Sequence, residues 1–66
     1  MTLHTLQEVF EFVQDRFGET DATGDFKLTL MSQYAKHTDL SLKEILSDML
    51  HGYHFSYIAK EVLVNL

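Results

Sequence analysis

FKLTLMSQYAKH, residues 26–37, is the stretch whose reading decides the fold. Two periodicities compete in it. Phe26, Leu28 and Leu30 alternate with Lys27 and Thr29, the pattern of a half-buried strand. Wound at about 100° per residue, Phe26, Leu30, Tyr34 and His37 instead share one side of a helix, widened by Leu28, Met31 and Ala35. Thr29, Ser32, Gln33 and Lys36 then form a continuous polar arc. That arc and the helical neighbours favour a helix over 26–37. The expected fold is therefore all-α, a small bundle of four short helices. The alternative is an α+β fold with a short strand at 26–31.

Thr38 and Asp39 break the pattern, and LSLKEILSDML, residues 40–50, restarts it. Ser41 is a good N-cap, and Glu44 three residues on can return a bond to the Ser41 N–H, a capping box. Leu40 precedes the cap and can staple onto Ile45. Leu42, Ile45, Leu46, Met49 and Leu50 fall on one face, with Lys43, Glu44, Ser47, Asp48 and His51 on the other. Gly52 supplies the stop. This gives a helix over 42–51. Beyond it, Phe55, Ile58, Ala59, Val62, Leu63 and Leu66 recur at helical spacing, so a last helix is expected over 55–65. Its rear face carries Lys60, Glu61, Tyr57 and Val64.

Upstream, GETDATG, residues 18–24, reads as the clear loop. Asp21, Thr23 and Asp25 alternate like the first half of a calcium-binding loop. The match then fails: Phe26 occupies the sixth position, where Gly is required, and Ser32 replaces the twelfth-position Glu. Turn formation and capping account better for those residues. Before the loop, Thr5 and Glu8 form a second capping box, followed by Leu6, Val9, Phe10, Val13 and Phe17 at helical spacing, with Gly18 as the stop. The first helix thus covers 6–17. Phe12 points about 120° away from its apolar stripe.

No linker, repeat or low-complexity tract divides the chain, so residues 1–66 read as one helical domain. A domain this small buries only about 60% of its unfolded surface. With no Cys there is neither a disulfide nor a thiolate metal ligand. Self-association is then a natural way to complete the core. Ten acidic residues against five basic ones give a net charge of −5. Arg16, Lys27, Lys36, Lys43 and Lys60 are scattered, whereas nucleic-acid binding needs cations clustered along the phosphates. No uncharged run approaches the ~20 apolar residues that span a bilayer. No signal-peptide pattern is legible, and cytoplasmic residence is the default expectation.

Catalytic chemistry finds little support. Glu8, Glu11 and Asp15 form an acidic face on the first helix, where a solvated surface is the simpler reading than paired general acid and base. His51 and His54 have a spacing that two metal ligands can use on a helix, but Gly52 stands between them and only Asp48 is a nearby carboxylate. His4 and His37 lie elsewhere. The isolated Gly18, Gly24 and Gly52 make no phosphate loop. No catalytic, cofactor or metal site is expected, and the chain is not read as an enzyme.

The helix–Gly52–helix segment has the length of a helix-turn-helix, with Ser56, Tyr57, Lys60 and Asn65 outward on a would-be recognition helix. Glu61 on the same face and the net negative charge oppose a DNA role. Protein binding remains. Phe12, Tyr53, Tyr57 and Val64 are left outside the main stripes, and gathered into one patch they would mark an interface. The expected function is a non-enzymatic protein–protein interaction module, a small regulator or inhibitor of a partner protein. A homodimer through Tyr57 and Val64 of the last helix is also expected. The alternative is a helix-turn-helix transcriptional regulator. Size and charge suit the small acidic helical proteins that phage and plasmid genomes encode.

Overall fold

A computed structural model describes residues 5–66 and winds them into four helices: α1 (Leu6–Phe17), α2 (Asp21–Lys36), α3 (Leu42–Asp48) and α4 (Ser56–Leu63). No strand occurs among the described residues. The all-α expectation holds, and the strand at 26–31 is excluded because those residues lie inside α2.

Three of the helices start at reciprocal caps. In α1, the Glu8 N–H donates to the Thr5 hydroxyl at 3.2 Å, and the Thr5 N–H donates to the Glu8 carboxylate at 3.1 Å. In α3, Ser41 and Glu44 repeat the exchange at 3.2 and 3.4 Å. Each exchange satisfies backbone donors that a helix start leaves without partners.

The third box is the one the sequence reading missed. Thr20 accepts from the Thr23 N–H at 3.1 Å, and the Thr20 N–H donates to the Thr23 hydroxyl at 2.8 Å. A threonine here takes the place usually held by Glu or Gln. α2 therefore begins at Asp21, five residues before the boundary expected at Phe26, and GETDATG is a loop only at its start. Asp21 and Asp25 lie one turn apart on the outer side of the helix and Thr23 faces the core, so the three are helical positions and not an ion-binding loop.

α3 and α4 are shorter than their periodicity implies. After Asp48 the chain tightens: the Leu50 N–H donates to Ser47 and the His51 N–H to Asp48, at 3.2 and 3.4 Å. These three-residue spacings mark a narrowing end, and Gly52 at φ 82° turns the chain away. His51 thus sits beyond α3 rather than in its last turn. α4 has no side-chain cap. Its start is fixed by Phe55, which is buried edge-on against Phe26 at 5.8 Å between ring centres and stacked by Tyr53 at 5.0 Å. Here aromatic burial replaces a capping bond.

One core joins all four helices: Val9 and Val13 of α1, Phe26 and Leu30 of α2, Ile45 and Leu46 of α3, Ile58, Ala59 and Val62 of α4, with Met49 and Phe55 from the turns. The faces predicted for α1, α3 and α4 are the ones buried. Leu40, before the Ser41 cap, also packs against this core. The face of α2 is a correction. Thr23, Phe26 and Leu30 point inward, while Leu28, Met31 and Tyr34 are exposed and Ala35 and His37 lie on the surface. Thr29 and Gln33, assigned to the polar arc, are half-buried. Starting the helix at Asp21 brings Thr23 into line with Phe26 and Leu30. That line, not the richer apolar arc, meets α1, α3 and α4.

Candidate interaction surface

The residues singled out for partner binding fall into two settings. Phe12 and Arg16 lie one turn apart on α1, with the guanidinium 4.9 Å from the centre of the Phe12 ring. Arg16 also bonds Glu61 of α4 at 2.8 Å. Phe17 meets Tyr57 of α4 edge-on at 5.6 Å. Tyr57, Glu61 and Val64 fall at i, i+4 and i+7 on α4, so they share a stripe. α1 and α4 thus meet through Arg16–Glu61 and Phe17–Tyr57, with Phe12 beside Arg16 on α1 and Val64 on the Tyr57 stripe of α4. Val64 is 70% exposed and Tyr57 51%.

Phe12 is less free than its phase implied. It is half-buried and packs against the core. Tyr53 belongs to the other setting. It stacks on Phe55 in the turn before α4, next to His54, whose Nε2 lies 3.1 Å from Asp25 Oδ2 on α2. Asn65, expected to face outward, instead donates to the Glu61 carbonyl at 2.9 Å and is half-buried. The outward side of α4 is left with Tyr57, Lys60 and Val64.

The groups that suggested chemistry have structural duties. The Glu8 carboxylate closes the α1 cap, while Glu11 and Asp15 are exposed on the helix surface. His37, His51 and His54 are exposed, and His4 lies outside the described residues. Among the described residues, no three His, Asp or Glu side chains gather as a metal site would require. A cavity of about 330 Å³ opens between α1 and the start of α2, lined by Phe10, Val13, Thr20, Thr23, Phe26 and Lys27 among others. Its two threonine hydroxyls are spent on each other's backbone, and the Lys27 ammonium lies over the Phe10 ring at 5.3 Å. Gln14 and Glu19 also line it and are bonded to each other, the Gln14 amide donating to the Glu19 carboxylate at 3.1 Å, and the volume is at the low end for a ligand pocket.

One surface escaped the sequence reading altogether: the outer side of α2. Leu28, Met31 and Tyr34 are 68%, 47% and 47% exposed. The Thr20–Thr23 pair marks where the helix starts and brings Thr23 onto it, but which arc turns inward is set by the neighbouring helices.

Compared with known proteins, the chain matches no family model, no curated sequence and no solved structure. No helix among the described residues is long and apolar enough to cross a membrane.

Proposed function

We propose that this chain is a non-enzymatic interaction module, a small regulator or inhibitor that presents the α1/α4 seam to a partner protein. The observation that carries the reading is the exposure of Tyr57 and Val64 along one stripe of α4. The docked neighbour α1 adds Phe12 and the Arg16–Glu61 bridge beside them. Clustered exposed apolar side chains with a polar rim are the usual composition of a protein interface. Glu11 and Asp15 on the outer side of α1 give that rim a negative sign, which suits a basic partner surface.

The test compares the wild-type chain with Val64→Lys and Tyr57→Ala as bait in a lysate of the source cells. A polypeptide held in stoichiometric amount by the wild type and lost from both variants supports the reading. Equal retention by all three removes the seam from consideration. A DNA mobility assay at two salt concentrations addresses the other class. Tight binding at low salt that collapses as salt rises would make α3–Gly52–α4 a DNA-reading unit instead.

A further inference from the structure

A second apolar stripe runs along α2 on the side away from the core. Leu28, Met31 and Ala35 fall at i, i+3 and i+7, Gly24 continues the line one turn earlier, and all four are exposed. The outer face of a surface helix in a monomer is ordinarily polar. The sequence set a homodimer on Tyr57 and Val64 of α4, but α2 offers the longer continuous stripe. It also carries charges in an order that selects one occupant.

We propose that this stripe is a self-docking seam, on which α2 of a second copy lies antiparallel about a two-fold axis passing between Leu30 and Met31. A two-fold contact uses the same patch on both chains, so each flank of the stripe faces its own equivalent. Asp25 and Lys36 lie on one flank, three turns apart. In this register Asp25 faces Lys36 of the second copy, and symmetry repeats the pair at the other end. Lys27 and Tyr34 lie on the opposite flank, two turns apart, and face each other in the same way. Leu28 meets the space between Met31 and Ala35 of the second copy, a knob entering a hole. Gly24 and Ala35 at the stripe's ends let the axes close toward the short end of the ~8–10 Å range.

The local charges fit. His54 Nε2 lies 3.1 Å from Asp25 Oδ2, and the Asp25 side chain stays 54% exposed on its flank, open to a lysine. Asp21 and Asp25 balance Lys27 and Lys36, so α2 is neutral within a chain of net charge −5. Two copies can approach along it without the repulsion that the acidic face of α1 imposes. A single-helix seam falls below the ~800 Å² per partner of a standard interface, so the dimer is weak, with a Kd on the order of 100 µM. This surface is separate from the α1/α4 seam, and either can fail without the other.

Sedimentation equilibrium of the full chain from ~10 to ~500 µM spans that affinity. The apparent mass should rise from 7.7 kDa toward twice that value. Leu28→Asp should hold it at the monomer mass with an unchanged circular dichroism spectrum, because the Leu28 side chain is exposed in the monomer. Asp25→Lys and Lys36→Asp should each weaken self-association about tenfold, since each sets like charges opposite one another at both ends. An equimolar mixture of those two variants should recover the wild-type affinity, because every facing pair is again opposite in sign. A wild-type chain monomeric to ~500 µM overturns the proposal. So does a mixture no better than its components, or a dimer broken by Val64→Lys and untouched by Leu28→Asp.

Discussion

α1 buries one face and turns carboxylates outward, whereas α2 is apolar on both its inner and its outer side. Both start at a threonine cap, and both pack on the same core. In α1 the strong contrast between faces makes phase and boundary unambiguous. In α2 the inner line of Thr23, Phe26 and Leu30 includes a polar residue, while the outer line of Leu28, Met31 and Ala35 includes none. Apolar content alone therefore points to the wrong side. The lesson is that periodicity locates a helix when one arc is polar, and gives no orientation when two arcs compete. Position relative to the other helices then settles which arc is covered.

The sharpest way to break this comparison is to cut one residue from each side of α2. Phe26→Ala removes a fully buried ring, at a cost of about 3–5 kcal/mol. That equals the whole stability expected of a domain this small, ~3–5 kcal/mol, so the variant should be unfolded by circular dichroism at 25 °C. A cooperative urea transition close to that of the wild type would show that Phe26 is not in the core.

Leu28 separates backbone from side chain. Leu28→Pro should cost about 3 kcal/mol despite the exposure of the side chain, because it removes an interior helical N–H and clashes with the preceding turn. Leu28→Gln should leave the urea midpoint within ~0.5 kcal/mol of wild type. Extended backbone chemical shifts for 26–30, or a well-tolerated proline, would overturn the continuous helix from Asp21.

The caps should cost less, and comparably to one another. Thr20→Ala and Ser41→Ala are each expected to destabilise by about 0.5–2 kcal/mol, read from urea midpoints. If Thr20→Ala alone is silent, the Thr–Thr box is not what starts α2, and its boundary moves back toward Phe26. Smallest of all is the Arg16–Glu61 bridge between α1 and α4. Both side chains are partly exposed, so a double-mutant cycle with Arg16→Ala and Glu61→Gln should return no more than about 1 kcal/mol. A larger coupling would mean that the seam is organised by charge rather than by Phe17 and Tyr57.

The legible parts of this protein are those written in local sequence. Thr5–Glu8 and Ser41–Glu44 announce two helix starts, Gly18 and Gly52 two reversals, and the stripes of α1, α3 and α4 their buried faces. Each signal acts within a turn or two of chain, where capping bonds and side-chain spacing are fixed by helix geometry alone. The outward positions of Tyr57 and Val64 followed from the same phase argument.

What tertiary structure decided lies between helices. It turned Thr23 inward and Leu28 outward, because α1, α3 and α4 together enclose only one side of α2. It left Phe12 half-buried where α1 packs with the core. It ended α3 at Asp48, seven residues before Phe55 enters the core against Phe26. None of these is fixed by the residue itself. Each depends on which neighbour occupies the space beside it, and that is set by the packing of four helices rather than by the order of residues within one.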